Sequence, residues 1–170
     1  RRADLARLKL EVLAQNTSAR SLYRERGFAA ARDLLILLFE PGFHPPHPLP
    51  EGILPGHPQA LLDYFHAFHA VQPAWQRDYA SLRHRVDAAV RGRRHNLTGL
   101  GYWEDETLHG YLLVQQRGYT FDVLDLAVDP GYPRRREAAN RLLDGLHGPA
   151  PGVGAHVINL PENDPVLPAL

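Results

Sequence analysis

The sequence predicts an α+β domain whose central, mostly antiparallel sheet is flanked by helices, and three observations carry that prediction. Three apolar segments, Thr98 to Trp103, Gly110 to Arg117 and Thr120 to Val128, are separated by little more than turn residues, as in an antiparallel meander. Apolar residues at helical spacing precede them, and a second helical stretch follows them. A further apolar segment, Val153 to Leu160, then supplies another strand.

The elements are justified in chain order. Leu8-Lys9-Leu10-Glu11-Val12-Leu13 alternates apolar and polar residues and predicts a strand. Asn16 or Thr17 N-caps a helix that runs through Tyr23 to Arg26 and stops at Gly27. Ala31 to Glu40 contains Leu-Leu-Ile-Leu-Leu-Phe and reads as a buried strand. Strand, helix and strand in 40 residues cannot close a core alone. Residues 41–58 hold seven of the 15 prolines, so they predict an extended connector, neither helix nor central strand. Leu61, Leu62, Phe65, Phe68 and His69 share one helix face. Trp75, Tyr79, Leu82, Val86 and Val90 continue the pattern after Pro73, and Gly92 ends it. Asp105 and Glu106 mark the first hairpin turn and Gly118 the second. Pro133 opens a helix to about Leu146, and Gly148 to Gly154 reads as a loop.

Composition narrows the function. The 170 residues carry 19 basic and 19 acidic side chains, so no bulk attraction to nucleic acid or an anionic membrane is expected. No Cys is present, which excludes disulfides, thiolate metal sites and a Cys nucleophile. No apolar run is long enough to span a bilayer and no secretory signal is visible, which predicts a cytoplasmic location. The chain holds no Met and begins Arg-Arg, which implies a processed N-terminus or a piece of a longer protein.

Asn16-Thr17-Ser18-Ala19-Arg20-Ser21-Leu22-Tyr23-Arg24-Glu25-Arg26-Gly27-Phe28 follows a predicted strand. It resembles the C-terminal signature of the GNAT acyltransferase superfamily, N-x-x-A-x-x-[LF]-Y-x-x-x-G-F, over about 20 residues. The resemblance implies that Asn16 lies close to the pantetheine arm of acetyl-CoA and that Tyr23 points at the thioester sulfur. A phenol with pKa near 10 can protonate a departing thiolate. The alternative is that Asn16 merely caps and Tyr23 merely packs.

Residues 59–170 also resemble a GNAT domain, in the order helices, meander, helix and strand. Val123 to Pro130 looks like the family's fourth strand, which implies that the backbone around Leu126 and Val128 pairs with the pantetheine amides. The turn that follows normally reads [QR]-x-x-G-x-[GA] and holds the pyrophosphate at a helix start. Here it is Arg134-Arg135-Arg136-Glu137-Ala138-Ala139, with Arg134 and Ala139 matching and Glu137 in place of Gly. A carboxylate about 5 Å from a phosphate, at an effective dielectric near 20, costs roughly 3 kcal/mol. Arg134, Arg135 and Arg136 could form a basic phosphate clamp, or could simply make Arg–Glu pairs on a solvated helix start.

Val157 to Pro165 overlays Leu10 to Ser18, with Asn163 over Asn16. The organisation implied is the strand–helix–strand tail of a first GNAT unit (1–40), a Pro-rich linker (41–58) and a second, degenerate GNAT-like domain (59–170) without its last helix and strands, as in a tandem-GNAT protein. In a second arrangement, the first piece completes the second within one chain or by exchange between two copies. An unpaired edge beside Val153 to Leu160 would recruit the Ala31–Glu40 strand, or a second chain as a homodimer.

Other groups are weighed as follows. His66 and His69, three apart on an apolar helix face, read as ordinary buried or half-exposed helix histidines, and no metal site is expected. His44, His47 and His57 fall in the connector. Asp122, Asp125 and Glu104 are candidate general bases. Three positions apart on a strand, Asp122 and Asp125 are expected to face opposite sides, so at most one reaches a cleft; Asp125 is the candidate. Tyr102, Tyr111 and Tyr119 read as strand aromatics. The implied function is transfer of an acetyl group from acetyl-CoA to a small-molecule or peptide amine by direct attack. The alternative is a non-catalytic module used for domain packing or ligand binding.

Overall fold

A computed structural model describes residues 8–39, 47–92, 96–147 and 154–169. The chain divides into two compact units, Arg1–Asp33 and Leu34–Leu170. Residues 41–46, with His44, and most of the loop expected over 148–154 lie outside the described residues.

Among the described residues, the first unit contains one helix, α1 (Thr17–Glu25). Asn16 Oδ1 accepts the Ala19 N–H at 3.0 Å and so caps it. The other end is closed by a left-handed Gly27, φ +86°. There the Phe28 N–H bonds the Tyr23 carbonyl and the Gly27 N–H bonds that of Arg24. The Phe28 ring meets the Tyr23 ring edge-on, with centroids 5.8 Å apart, which completes a Schellman cap and its apolar contact. Leu8 to Leu13 is not a strand. Alternation marks a strand only where a neighbouring backbone completes the ladder, and Leu8 and Leu13 are exposed.

The second unit is one six-stranded sheet. Its strands are β1 (Leu34–Phe39), β2 (Ile53–Pro55), β3 (Leu97–Glu104), β4 (Thr107–Arg117), β5 (Thr120–Val128) and β6 (Gly154–Pro161). The spatial order is β1-β6-β5-β4-β3-β2, and every pair is antiparallel except β5 with β6. Leu34–Phe39 is thus the neighbour of the last strand. The Pro-rich stretch contributes β2 at the opposite edge, where Pro55 can sit without leaving an interior strand short of a donor.

Helices cover both faces. α2 (Pro58–Leu62), α3 (Phe65–Phe68) and α4 (Tyr79–Arg91) lie on one side, and α5 (Arg135–His147) on the other. The apolar stripe expected as one helix over 61–69 is two helices. At the joint the bonds shorten to i−3, from Asp63 N to Ala60 O and from Tyr64 N to Leu61 O. The backbone stays right-handed, so Leu61, Leu62, Phe65 and Phe68 remain on one buried face. Trp75–Arg77 is a separate 3-10 turn, because Asp78 breaks off to cap α4 through the Ser81 N–H at 2.8 Å.

Three register shifts shape the sheet: one leaves His109 extra on β4, and the other two border the β5–β6 pair. On β5, Leu113 pairs with Asp125 and Val114 with Val123, which leaves Leu124 as the extra residue. On β6, Val157 pairs with Leu37 and Leu160 with Leu35, so Ile158 and Asn159 oppose Ile36 alone. Asn159 accommodates this with φ +58°. β5 and β6 are paired from Thr120–Gly154 to Val123–Val157 and no further. Both bulges begin at the next residue.

Candidate active site

Beyond Val123, β5 continues to Val128 with ladder partners, among the described residues, on β4 alone, while β6 runs on against β1. Each bulge bends its strand, and the two strands separate. Leu126 and Val128 lie on this stretch with side chains in the α5-side core, so only their backbones face the separation. The segment after β6 approaches the same place. A pocket of about 20 Å³ lies between Val128, Arg135, Arg136 and Ala139 on one side and Pro165 and Val166 on the other. That is room for about one water.

Behind the β5 bulge, on the α2–α4 side, lies a buried polar cluster. Asp125 Oδ2 accepts a hydrogen bond from the Tyr111 hydroxyl at 2.7 Å and lies 3.0 Å from His69 Nε2. Its Oδ1 accepts from Arg77 Nη2 at 3.3 Å. Burial raises the Asp125 carboxyl pKa, but the charge and hydrogen bond of His69, then Arg77 and Tyr111, outweigh it and hold the group below the usual carboxylate range. Burial first, and then the Asp125 charge, push the Tyr111 phenol well above its ordinary value. Asp164, on the turn after β6, is buried too, and burial raises its carboxyl despite the nearby Arg77 and His69 charges. Arg77 Nε and Nη1 are buried with no hydrogen-bond partner among the described residues.

The bulge also corrects the expected facing of the two aspartates. One extra residue shifts the strand alternation, so Asp122 and Asp125 lie on the same face, opposite Gln115 and Leu113. Asp122 is committed elsewhere, to Arg117 at 2.7 Å and His156 at 3.6 Å. Tyr111 and Tyr102 are buried and bonded, whereas Tyr119 sits at a turn with its side chain exposed.

At the start of α5, Arg134 is bonded to Glu104 through Nη2, and Glu104 also accepts from the Tyr132 hydroxyl at 3.0 Å. The Arg134 bond, then that of Tyr132, lowers the Glu104 carboxyl pKa. Glu137 is bonded by Arg141 one turn on, at 2.7 Å, and lies 3.9 Å from Arg134. Of the three arginines that precede Glu137, Arg134 alone comes within ion-pair distance of it among the described residues, and its hydrogen bond comes from Arg141. Arg135 and Arg136 make no ion pair among the described residues and border the small pocket beside the buried Ala139.

In the first unit, Asn16 and Tyr23 have the capping roles described above. The cluster of His69, Arg77 and Tyr111 around Asp125 was missed at the sequence level. Its one legible signal was an Asp in an otherwise apolar strand, Val123-Leu124-Asp125-Leu126.

The architecture is that of acyl-CoA N-acyltransferases: a mixed sheet splayed between one parallel pair, with helices on both faces. No family model matches the sequence, and no curated protein matches it. Among solved structures, the chain is similar to a GCN5-related N-acetyltransferase from Sphaerobacter thermophilus, with TM-score 0.57, 17% identity and 85% of this chain covered. It is similar also to a protein of Novosphingobium aromaticivorans assigned to the GNAT acetyltransferases, with TM-score 0.50, 17% identity and 80% of this chain covered. At that identity the fold is what is shared, and the fold is GNAT. The chain spans about half the length of each structure, 48% and 55%. Among the described residues, no helix is long and apolar enough to cross a membrane.

Proposed function

We propose that the protein transfers an acetyl group from acetyl-CoA to a small-molecule or peptide amine by direct attack on the thioester. The observation that carries this reading is the separation of β5 from β6 between two bulges. Among the described residues it leaves Asp125–Val128 with one backbone edge outside the ladder, and an extended amide-bearing arm such as pantetheine can add to such an edge as a strand does. In this reading Leu126 and Val128 supply backbone contacts, and Arg135 with Ala139 borders the phosphates. Asn16 and Tyr23 supply the arm contact and the acid in the unit that bears the signature. Tyr23→Phe is expected to lower turnover about 10²-fold with little change in acetyl-CoA affinity. Steady-state thiol release across a panel of amines measures this, and an unchanged rate would reduce the signature to its capping role.

A second reading has its own observations: a non-catalytic module. Glu137 occupies the phosphate turn in place of Gly, Arg134 is committed to Glu104, and the pocket beside Val128 holds about 20 Å³. Calorimetric titration of acetyl-CoA separates the two readings. Micromolar binding supports the enzyme, and absence of both binding and thiol release supports the module.

A further inference from the structure

We propose that His69 takes the proton from the acceptor amine and that Asp125 is its positioning carboxylate; this rests on the acetyl-transfer reading above. Asp125 is the residue directly after the β5 bulge, at the start of the strand's free edge. Its side chain is 0% exposed, and both its oxygens already accept hydrogen bonds, from Tyr111 and from Arg77. A base must come within hydrogen-bond reach of the proton it removes, and Asp125 has no accessible oxygen for one.

His69 follows α3 and stands over that bulge. Its side chain retains 8% exposure. An ionised carboxylate can only accept, so the bond to Asp125 Oδ2 puts the imidazole hydrogen on Nε2 and leaves the Nδ1 lone pair for a substrate. A base oriented by a third group is the arrangement that activates acyl-transfer sites. The surroundings keep the carboxylate charged and fixed. Arg77 reaches it from the 3-10 turn and Tyr111 from β4, the Phe65 ring of α3 lies 4.3 Å from the imidazole, and Asp164 is the further carboxylate nearby.

The step balances as follows. One proton of the substrate ammonium passes to His69 Nδ1. The freed nitrogen lone pair attacks the thioester carbonyl carbon. The C–N bond forms and the C–S bond breaks. The sulfur leaves with the electron pair and is protonated to the thiol by the general acid of the reading above, and the second nitrogen proton restores that acid. His69 returns its proton to water.

Two measurements test this on the full chain. Nitrogen-15 NMR of the wild-type imidazoles needs no activity, and the neutral form of His69 is expected as the Nε2–H tautomer. Thiol release with acetyl-CoA and an amine panel is then followed against pH. His69→Gln is expected to lower kcat about 10²-fold, to leave KM for acetyl-CoA within about twofold, and to abolish the acid limb of kcat/KM. Asp125→Asn moves that limb to lower pH. Tyr111→Phe, which leaves Asp125 Oδ2 to His69 while Arg77 keeps Oδ1, moves it to higher pH and tests the proposal even if Asp125→Asn does not fold. His66→Gln, on the exposed neighbour, leaves the rate unchanged. An Nδ1–H tautomer, or thiol release undiminished in His69→Gln, would overturn the inference alone. No thiol release by the wild-type protein would overturn it together with the reading on which it rests.

Discussion

The two faces of the sheet are built from strands of similar apolar content but hold different chemistry. On the α5 side, Leu112, Val114, Val123, Leu126 and Leu142 form a core that also holds the Tyr102 and Tyr132 phenols. Tyr102 and Tyr132 pair there at 3.2 Å, and Tyr132 reaches Glu104. On the α2–α4 side, Leu62, Phe65, Leu82 and Val86 enclose a carboxylate, a guanidinium and an imidazole. Apolar packing alone would serve stability better, since a buried ion pair is often replaceable by hydrophobic residues without loss. The charged face is thus the one on which function is to be sought.

Removing Asp125 breaks the comparison most severely. Asp125→Ala strands a buried Arg77 beside a created cavity, and a loss of about 4 kcal/mol is expected in chemical denaturation. Leu142→Ala on the apolar face, where the side chain is 0% exposed, is expected to cost less, about 3 kcal/mol by the same measurement. If Leu142→Ala proves the costlier, the charged cluster is too well hydrated to count as buried.

Glu137→Gly sharpens the comparison at the α5 start. It removes the carboxylate now held by Arg141 and restores the small residue of the phosphate turn. Solvent weakens the roughly 3 kcal/mol repulsion, so acetyl-CoA affinity is expected to rise roughly tenfold by calorimetry. No gain would show that phosphates do not approach this turn.

The smallest effect is set by pH. Asp125 is held below the ordinary aspartate value of 3.8, so its contribution is complete above that value and is lost as pH falls through the folded pKa. Asp164 is raised above 3.8, so its folded form binds more protons than the unfolded chain and its contribution declines as pH rises through the folded pKa. Asp164→Asn keeps an oxygen for the Val166 N–H. It is expected to melt a few degrees higher than wild type at pH 7, with the difference closing below pH 3.8. A lower melting point at pH 7 would mean that attraction to Arg77 outweighs burial.

Local residue order determined the elements whose signals are local. The meander follows from Asp105-Glu106 and Gly118, which adopt the positive φ that tight hairpins need. α1 follows from Asn16 and Gly27, because a cap is satisfied within a few residues. The resemblance around Asn16–Phe28 pointed to the GNAT fold for the same reason, although its residues are also those of a well-capped helix.

What required tertiary structure depends on partners distant in sequence. Leu8–Leu13 alternates as a strand does, yet forms none, because alternation does not supply a neighbour. The facing of Asp122 and Asp125 depended on one unpaired residue, Leu124, which exists only relative to the register of β4. His69 meets Asp125 across 56 positions and Arg77 meets it across 48. No period or motif encodes that meeting. It arises because burying an aspartate in an apolar strand demands donors, and the fold brings them from the helical layer above.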